Sequence, residues 1–216
     1  ALTHLLRDVH FQQIRAAWAT IGAGRFALAI LLTTAGYLAL TFYDVLALRA
    51  VGRPLPWRVA ALASFTSYAV GNNLGLSFLT GGSARYRVYS AEGLGVGDVA
   101  RVVALASLAF WSGLLGLSGL LLLSGAALPP LAGMRLPPPA SMALGGLLLL
   151  APLALLAWTG RTGRTLHFRR FRLQLPGRRL AAMLLLVAVV DLASASMVLL
   201  ALVPGASLAD WPAFFV

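Results

Sequence analysis

The chain has 216 residues, of which 60% are hydrophobic and only 11% charged, and its mean hydropathy is +0.87. A soluble domain carries about 25% charged residues, so this composition excludes an ordinary water-soluble fold and points to lipid as the solvent. All 17 basic residues are arginine, the net charge is +11, and there is no cysteine, which removes disulfides, thiolate catalysis and cysteine-held metals from consideration.

In chain order, residues 1–24 mix His4, Arg7, Asp8, His10 and Arg15 with Leu5, Leu6, Val9, Phe11, Ile14 and Trp18. The helical spacing of the apolar residues predicts an amphipathic helix at the membrane interface. A spanning helix needs ~20 mostly apolar residues. Five windows come near or meet that length: Phe26 to Leu48, Val59 to Leu79, Val102 to Leu123 (with Asp98 expected as its N-cap), Met142 to Trp158, and Ala181 to Val203. A sixth apolar segment begins near Trp211. Residues 25–216 therefore read as part of a polytopic transmembrane helix bundle, all-α, with about five spanning or re-entrant helices. Both chain ends read as internal to a longer membrane protein.

The connectors set the orientation. Residues 161–179 carry seven arginines and residues 124–141 carry one, so the first of these faces the cytoplasm. The second window is ambiguous. Its centre, Ser67-Tyr68-Ala69-Val70-Gly71-Asn72-Asn73-Leu74-Gly75, has little helix propensity. If it spans, Arg49, Arg53 and Arg58 lie outside; if it re-enters, they lie inside. The arginine tally is the same either way, and the weak helix propensity favours re-entry or a broken helix.

Several polar residues at membrane depth invite a functional reading. Asp191 sits midway along its window, where a charge costs ~3 kcal/mol or more; it is either a cation- or proton-binding carboxylate or a structural residue bonded to a neighbouring helix or Ser194. Asp44 follows Tyr43 near the end of the first window. It is either a cavity carboxylate or, with Tyr43 in the aromatic belt, an interfacial anchor, and its position fits the anchor better. Asn72 and Asn73 offer donors and acceptors. Gly81-Gly82 allow positive φ, from which backbone N–H groups can converge on an anion, and Arg85 and Arg87 can hold phosphate. The alternative for this stretch is a GxxxG helix contact at Gly71 and Gly75 followed by ordinary cytoplasmic arginines. Gly113, Gly116 and Gly119 predict close helix packing. His4, His10 and His167 lack metal-ligand spacing, and no catalytic triad, P-loop or dinucleotide motif is present. No catalytic residue, metal site or cofactor is expected, and nucleic-acid binding by the arginine connector is the least favoured reading.

Tyr37-Leu38-Ala39-Leu40-Thr41-Phe42-Tyr43-Asp44-Val45-Leu46-Ala47-Leu48-Arg49 resembles a helix of the multiple peptide resistance factor (MprF) family. So do Ser64-Phe65-Thr66-Ser67-Tyr68-Ala69-Val70-Gly71-Asn72-Asn73-Leu74-Gly75, Gly81-Gly82-Ser83-Ala84-Arg85-Tyr86-Arg87-Val88-Tyr89, Ser107-Leu108-Ala109-Phe110-Trp111-Ser112-Gly113 and the Asp191 helix. The likeness runs over about residues 4–203, with 124–180 matching only in hydropathy and loop character. It implies the transmembrane flippase region of a lysyl-phosphatidylglycerol synthase and flippase of the bacterial inner (cytoplasmic) membrane. Such a region moves aminoacylated phosphatidylglycerol, usually the lysyl form, to the outer leaflet and confers resistance to cationic antimicrobial peptides. The parent is then a lysyltransferase, while this stretch, without the cytosolic synthase domain and the later flippase helices, is neither catalytic nor a complete transporter. A related group shares the transmembrane region without the synthase. The implied partners are anionic and aminoacylated phospholipids. Tyr43, Asp44, Asn72, Asn73, Arg85, Arg87 and Asp191 are the expected head-group residues, carboxylates taking ammonium and arginines taking phosphate. Two rivals stay open: the membrane part of a lipid-modifying aminoacyltransferase, and a scaffold or lipid sensor that transports nothing. Homo-oligomerisation is open too.

Overall fold

The computed structural model describes residues 21–74, 77–125, 137–160, 165–168 and 171–215. The amphipathic helix expected over 1–24 lies almost wholly outside them. The helices are α1 (Ala23–Ala50), α2 (Trp57–Leu74), α3 (Ser77–Ala91), α4 (Val96–Leu123), α5 (Pro138–Thr159), α6 (Arg178–Leu202) and the short α7 (Trp211–Phe215) after a 3-10 turn at Leu208–Asp210. Four of them, α1, α4, α5 and α6, are long and apolar enough to cross a membrane. The all-α bundle is thus as expected. One element was not: the arginine-rich connector carries a short antiparallel hairpin, β1 (Thr165–Phe168) and β2 (Phe171–Gln174), in which His167 pairs with Arg172.

The ambiguous second window breaks. Helix α2 ends at Leu74 and α3 begins at Ser77, and the two fold back on each other, Ser67 meeting Gly81 and Arg85. At ~1.5 Å per residue, the 18 residues of α2 reach about 27 Å, most of a ~30 Å hydrocarbon core. The hairpin is therefore long enough to reach most of the way through such a core, and it returns to the end of the bundle it started from.

Both of its outer connections sit at one end of the bundle. Helix α1 stops in a Schellman turn: Gly52, at φ 75°, donates to the Arg49 carbonyl while Arg53 donates to that of Leu48. Helix α3 stops the same way, with Gly93 at φ 79° donating to Ser90 and Leu94 to Tyr89. Glycine takes this left-handed position without a Cβ penalty. Arg53 of the first connection lies 3.9 Å from Asp98 at the start of α4. Leu175, which follows the β-hairpin, is buried in one cluster with Leu48, Tyr89, Leu94 and Val99. Arg49, Arg53 and Arg58 therefore share an end with the arginine connector, the arrangement that re-entry requires. At the opposite end the Arg25 guanidinium donates to the carbonyls of Val203 and Ala206, at 2.6 and 2.7 Å.

Small residues set how closely the spanning helices approach, as expected for Gly113, Gly116 and Gly119. A Cβ on Gly113 would collide with Ala188 of α6, and one on Gly119 would lie 2.7 Å from the Gly145 carbonyl oxygen of α5. A Cβ on Gly116 would lie 3.5 Å from the Pro152 ring of α5, an ordinary van der Waals contact. Asp98 does not cap α4. Gly95 holds that position, and Asp98 sits in the first turn, where its carboxylate meets Arg101 at 3.4 Å and favours the positive helix end.

Candidate functional site

The packing of the α2–α3 hairpin against α1 builds a closed polar network in an apolar bundle. Asp44 of α1 is fully buried, and Arg85 of α3 is 6% exposed. The Arg85 Nε donates to both Asp44 oxygens, at 2.9 and 3.2 Å. Tyr89, one turn further along α3, donates its phenolic O–H to Asp44 Oδ2 at 2.7 Å. On its other side Arg85 donates through Nη1 to Ser67 Oγ of α2 at 2.6 Å, and the Ser67 hydroxyl donates to the Gly81 carbonyl at 2.8 Å. The guanidinium carbon stands 5.1 Å from the centre of the Tyr68 ring, within cation–π range.

Local sequence explains this placement. Gly81, Arg85 and Tyr89 recur at i, i+4, i+8 and so occupy one face of α3. Gly81 is the close-approach point, since a Cβ there would lie 2.8 Å from Ser67 Oγ. This corrects one expectation. Gly81 and Gly82 are helical and absent from the positive-φ glycines, so they form no anion nest; the chain spends Gly81 on helix contact instead. The aromatic-belt reading of Tyr43 and Asp44 is also overturned, because both are buried, Tyr43 at 1% exposure.

Asp191 stands apart. It lies partly buried on α6 against α1, with Gly36 opposite: a Cβ there would come within 4.0 Å of Oδ1 and 3.7 Å of Ser194. Its described bond is a long one, from the Tyr43 hydroxyl at 3.4 Å. Tyr43 and Asp44 thus turn in different directions from α1, one to Asp191 and the other to Arg85.

The expected residues therefore divide. Tyr43 and Asp191 meet, as do Asp44 and Arg85. Arg87 is exposed on the other face of α3. Asn72 and Asn73 fall in the last turn of α2, near the tip of the hairpin, and their side chains lie outside what is described. Ser67, Tyr68 and Tyr89 were missed. Tyr89 was signalled by its i+4 spacing from Arg85; Ser67 had no signal, since its role depends on how α2 folds back.

Chemically the network is an ion pair with every buried polar side-chain atom satisfied among the described residues. Two charges cannot otherwise stay ionised in an apolar bundle. Each charge is bonded to the other, so a ligand that displaces one partner must supply a counter-charge to the group it takes.

No family model matches the chain. Among curated proteins it is similar to the uncharacterised protein slr0712 of Synechocystis, at 34% identity over 120 residues, 56% of this chain and 37% of that protein. It is also similar to the inner membrane protein YbhN of Escherichia coli, at 37% identity over 98 residues, 45% of this chain and 30% of that protein. The chain spans about a third of the length of these relatives. The likeness to an inner membrane protein and the four apolar helices together make this chain a multi-pass protein of the inner membrane.

Proposed function

We propose that this bundle is part of a transporter that moves charged phospholipid head groups across the inner membrane, with the Asp44–Arg85 pair as the element that receives them. The observation carrying this reading is the pair itself: a carboxylate and a guanidinium bonded at 2.9 Å between α1 and a hairpin that enters and leaves on one side. A head group bearing an ammonium and a phosphate offers a partner to each. Ammonium replaces Arg85 at Asp44, phosphate replaces Asp44 at Arg85, and neither buried charge is stranded during the exchange. A ligand of single charge would leave one group unpaired, at a cost of several kcal/mol.

The resemblance to the MprF family narrows the substrate to aminoacylated phosphatidylglycerol, most simply the lysyl form, whose head group carries two ammoniums and one phosphate. In this reading Asp191, half-buried beside Tyr43, takes the second ammonium, while Asn72 and Asn73 at the hairpin tip line the polar path and Arg87 faces the anionic surface. Placing the arginine-rich end in the cytoplasm follows the positive-inside rule. Outward movement of such a lipid would raise resistance to cationic antimicrobial peptides.

The complete satisfaction of the network favours a second reading, in which the pair is a staple between α1, α2 and α3 in a scaffold that transports nothing. The charge-swapped double variant Asp44→Arg with Arg85→Asp separates the two in the full-length protein. A receptor is polar in its orientation, so the swap should restore protein level relative to the single variants while outer-leaflet aminoacyl lipid stays low. Recovery of both would show a staple. The rival in which these helices present acceptor lipid to an attached synthase predicts that the same variants lower lipid synthesis itself.

A further inference from the structure

One side chain brings the two membrane carboxylates into a common neighbourhood. Tyr68 of α2 is partly buried, and the guanidinium carbon of Arg85 stands 5.1 Å from its ring centre. The phenol interacts electrostatically with Arg85, Asp44 and Asp191. Tyr43, which donates to Asp191 at 3.4 Å, interacts with Tyr68 in turn. Charges act over several ångströms where water is excluded, so Tyr68 lies within reach of both carboxylates. Asp191, Tyr43, Tyr68, Arg85, Asp44 and Tyr89 thus form one run of polar side chains, from α6 through α1 and α2 to α3, in an apolar bundle.

That position bears on the head-group reading above, on which this inference rests. An aromatic face attracts cations of any kind, and in the closed network the cation is Arg85. A phosphate that draws Arg85 off the ring frees this face for an ammonium. A head group with one ammonium satisfies Asp44 and has nothing left for the ring or for Asp191. A head group with two, joined by a short methylene stem, satisfies Asp44 with one and gives the other to the ring and to the Asp191 carboxylate.

We infer that Tyr68 is the specificity-determining residue of this site: its ring joins Asp44 and Asp191 into one receptor for two ammonium groups, so that a phospholipid bearing two is favoured over a phospholipid bearing one. The tyrosine acts through its aromatic face, and its hydroxyl is not required.

The test uses the full-length protein in proteoliposomes and follows lipid movement with a membrane-impermeant amine reagent. Lysyl-phosphatidylglycerol, with two ammonium groups, is compared with alanyl-phosphatidylglycerol, with one, in the same preparation, so that protein level cancels from their ratio. The parent should favour the lysyl lipid. A cation–π contact changes affinity about fivefold, so Tyr68→Leu should lower the lysyl-to-alanyl ratio roughly fivefold, whereas Tyr68→Phe, which keeps the ring, should hold it within about twofold. Tyr68→Met, also without a ring, gives the same reading where Tyr68→Leu does not accumulate. A parent that moves both lipids equally, a ratio unchanged when the ring is removed, or a Tyr68→Phe variant as unselective as the ringless ones would overturn the assignment and leave the transport reading standing. A parent that moves neither lipid would remove the transport reading and this inference with it.

Discussion

Two carboxylates, Asp44 and Asp191, lie beyond the first turn of the described helices, and the protein treats them in opposite ways. Asp44 is fully buried and receives the guanidinium of Arg85 and the hydroxyl of Tyr89. Asp191 remains partly accessible and is reached by one hydroxyl at 3.4 Å. Depth in the membrane alone does not decide how a charge is accommodated. A fully enclosed carboxylate needs a cation bonded to it, whereas one left on a helix boundary can rely on partial access and a weak donor. Asp44 therefore bears on the integrity of the bundle and Asp191 much less.

The contrast breaks most visibly at the ion pair. Asp44→Ala leaves Arg85 buried without a counter-charge, and thermal or denaturant unfolding in detergent should show a loss of about 3–5 kcal/mol. Replacing both partners by apolar residues, Asp44→Leu with Arg85→Met, should recover most of that loss. If the single variant is as stable as the parent, the pair is not the closed network described here. Next in size is the glycine that lets the hairpin close on itself. Gly81→Ala places a methyl 2.8 Å from Ser67 Oγ, and overpacking of this kind costs about 1–3 kcal/mol. Gly82→Ala, with nothing within 4 Å of its Cβ, should be close to neutral in the same assay.

A loss of similar size is expected at the other end of the bundle. Arg25→Ala removes two hydrogen bonds to the carbonyls that follow α6, worth about 1–3 kcal/mol together because one is solvent-exposed. Hydrogen exchange of the backbone around 203–206 should rise while the α1–α3 contact stays protected. The smallest effects belong to the second carboxylate. Tyr43→Phe removes a single long bond and should cost under about 1 kcal/mol. Asp191→Asn removes a membrane charge that lacks an ion-pair partner among the described residues, so stability should hold or rise slightly. A large loss from Asp191→Asn would mean that this carboxylate, too, holds the bundle together.

Much of this architecture was readable from residue order. Apolar windows located α1, α5 and α6 to within four residues at each end and α4 to within six, because a ~30 Å core imposes a minimum run length on any span. Gly113 and Gly119 were legible as contacts because membrane helices approach closely only where side chains are small. The break between α2 and α3 was legible in kind, from the low helix propensity around Gly71–Gly75. The β-hairpin was not: its strands, Thr-Leu-His-Phe and Phe-Arg-Leu-Gln, are only four residues each, too short for their apolar–polar alternation to stand out as a strand signal. Arg85 was readable as a functional residue, but its role as the partner of Asp44 was not, since 41 residues separate the two and nothing in the local pattern joins them.

The sequence by itself determined the solvent, where the long apolar helices lie, the end of the molecule where positive charge gathers, and the small residues at which helices can touch. These are properties of single segments, decided by transfer free energy and side-chain volume. Only the tertiary structure decided that the second window turns back, that Arg53 and Arg58 accordingly join the arginine-rich end, and that Tyr43 and Asp44, neighbours in the chain, face different partners. Those outcomes depend on which faces of separate helices come together, and there the cost of enclosing a charge is offset only by a counter-charge brought in from elsewhere in the chain.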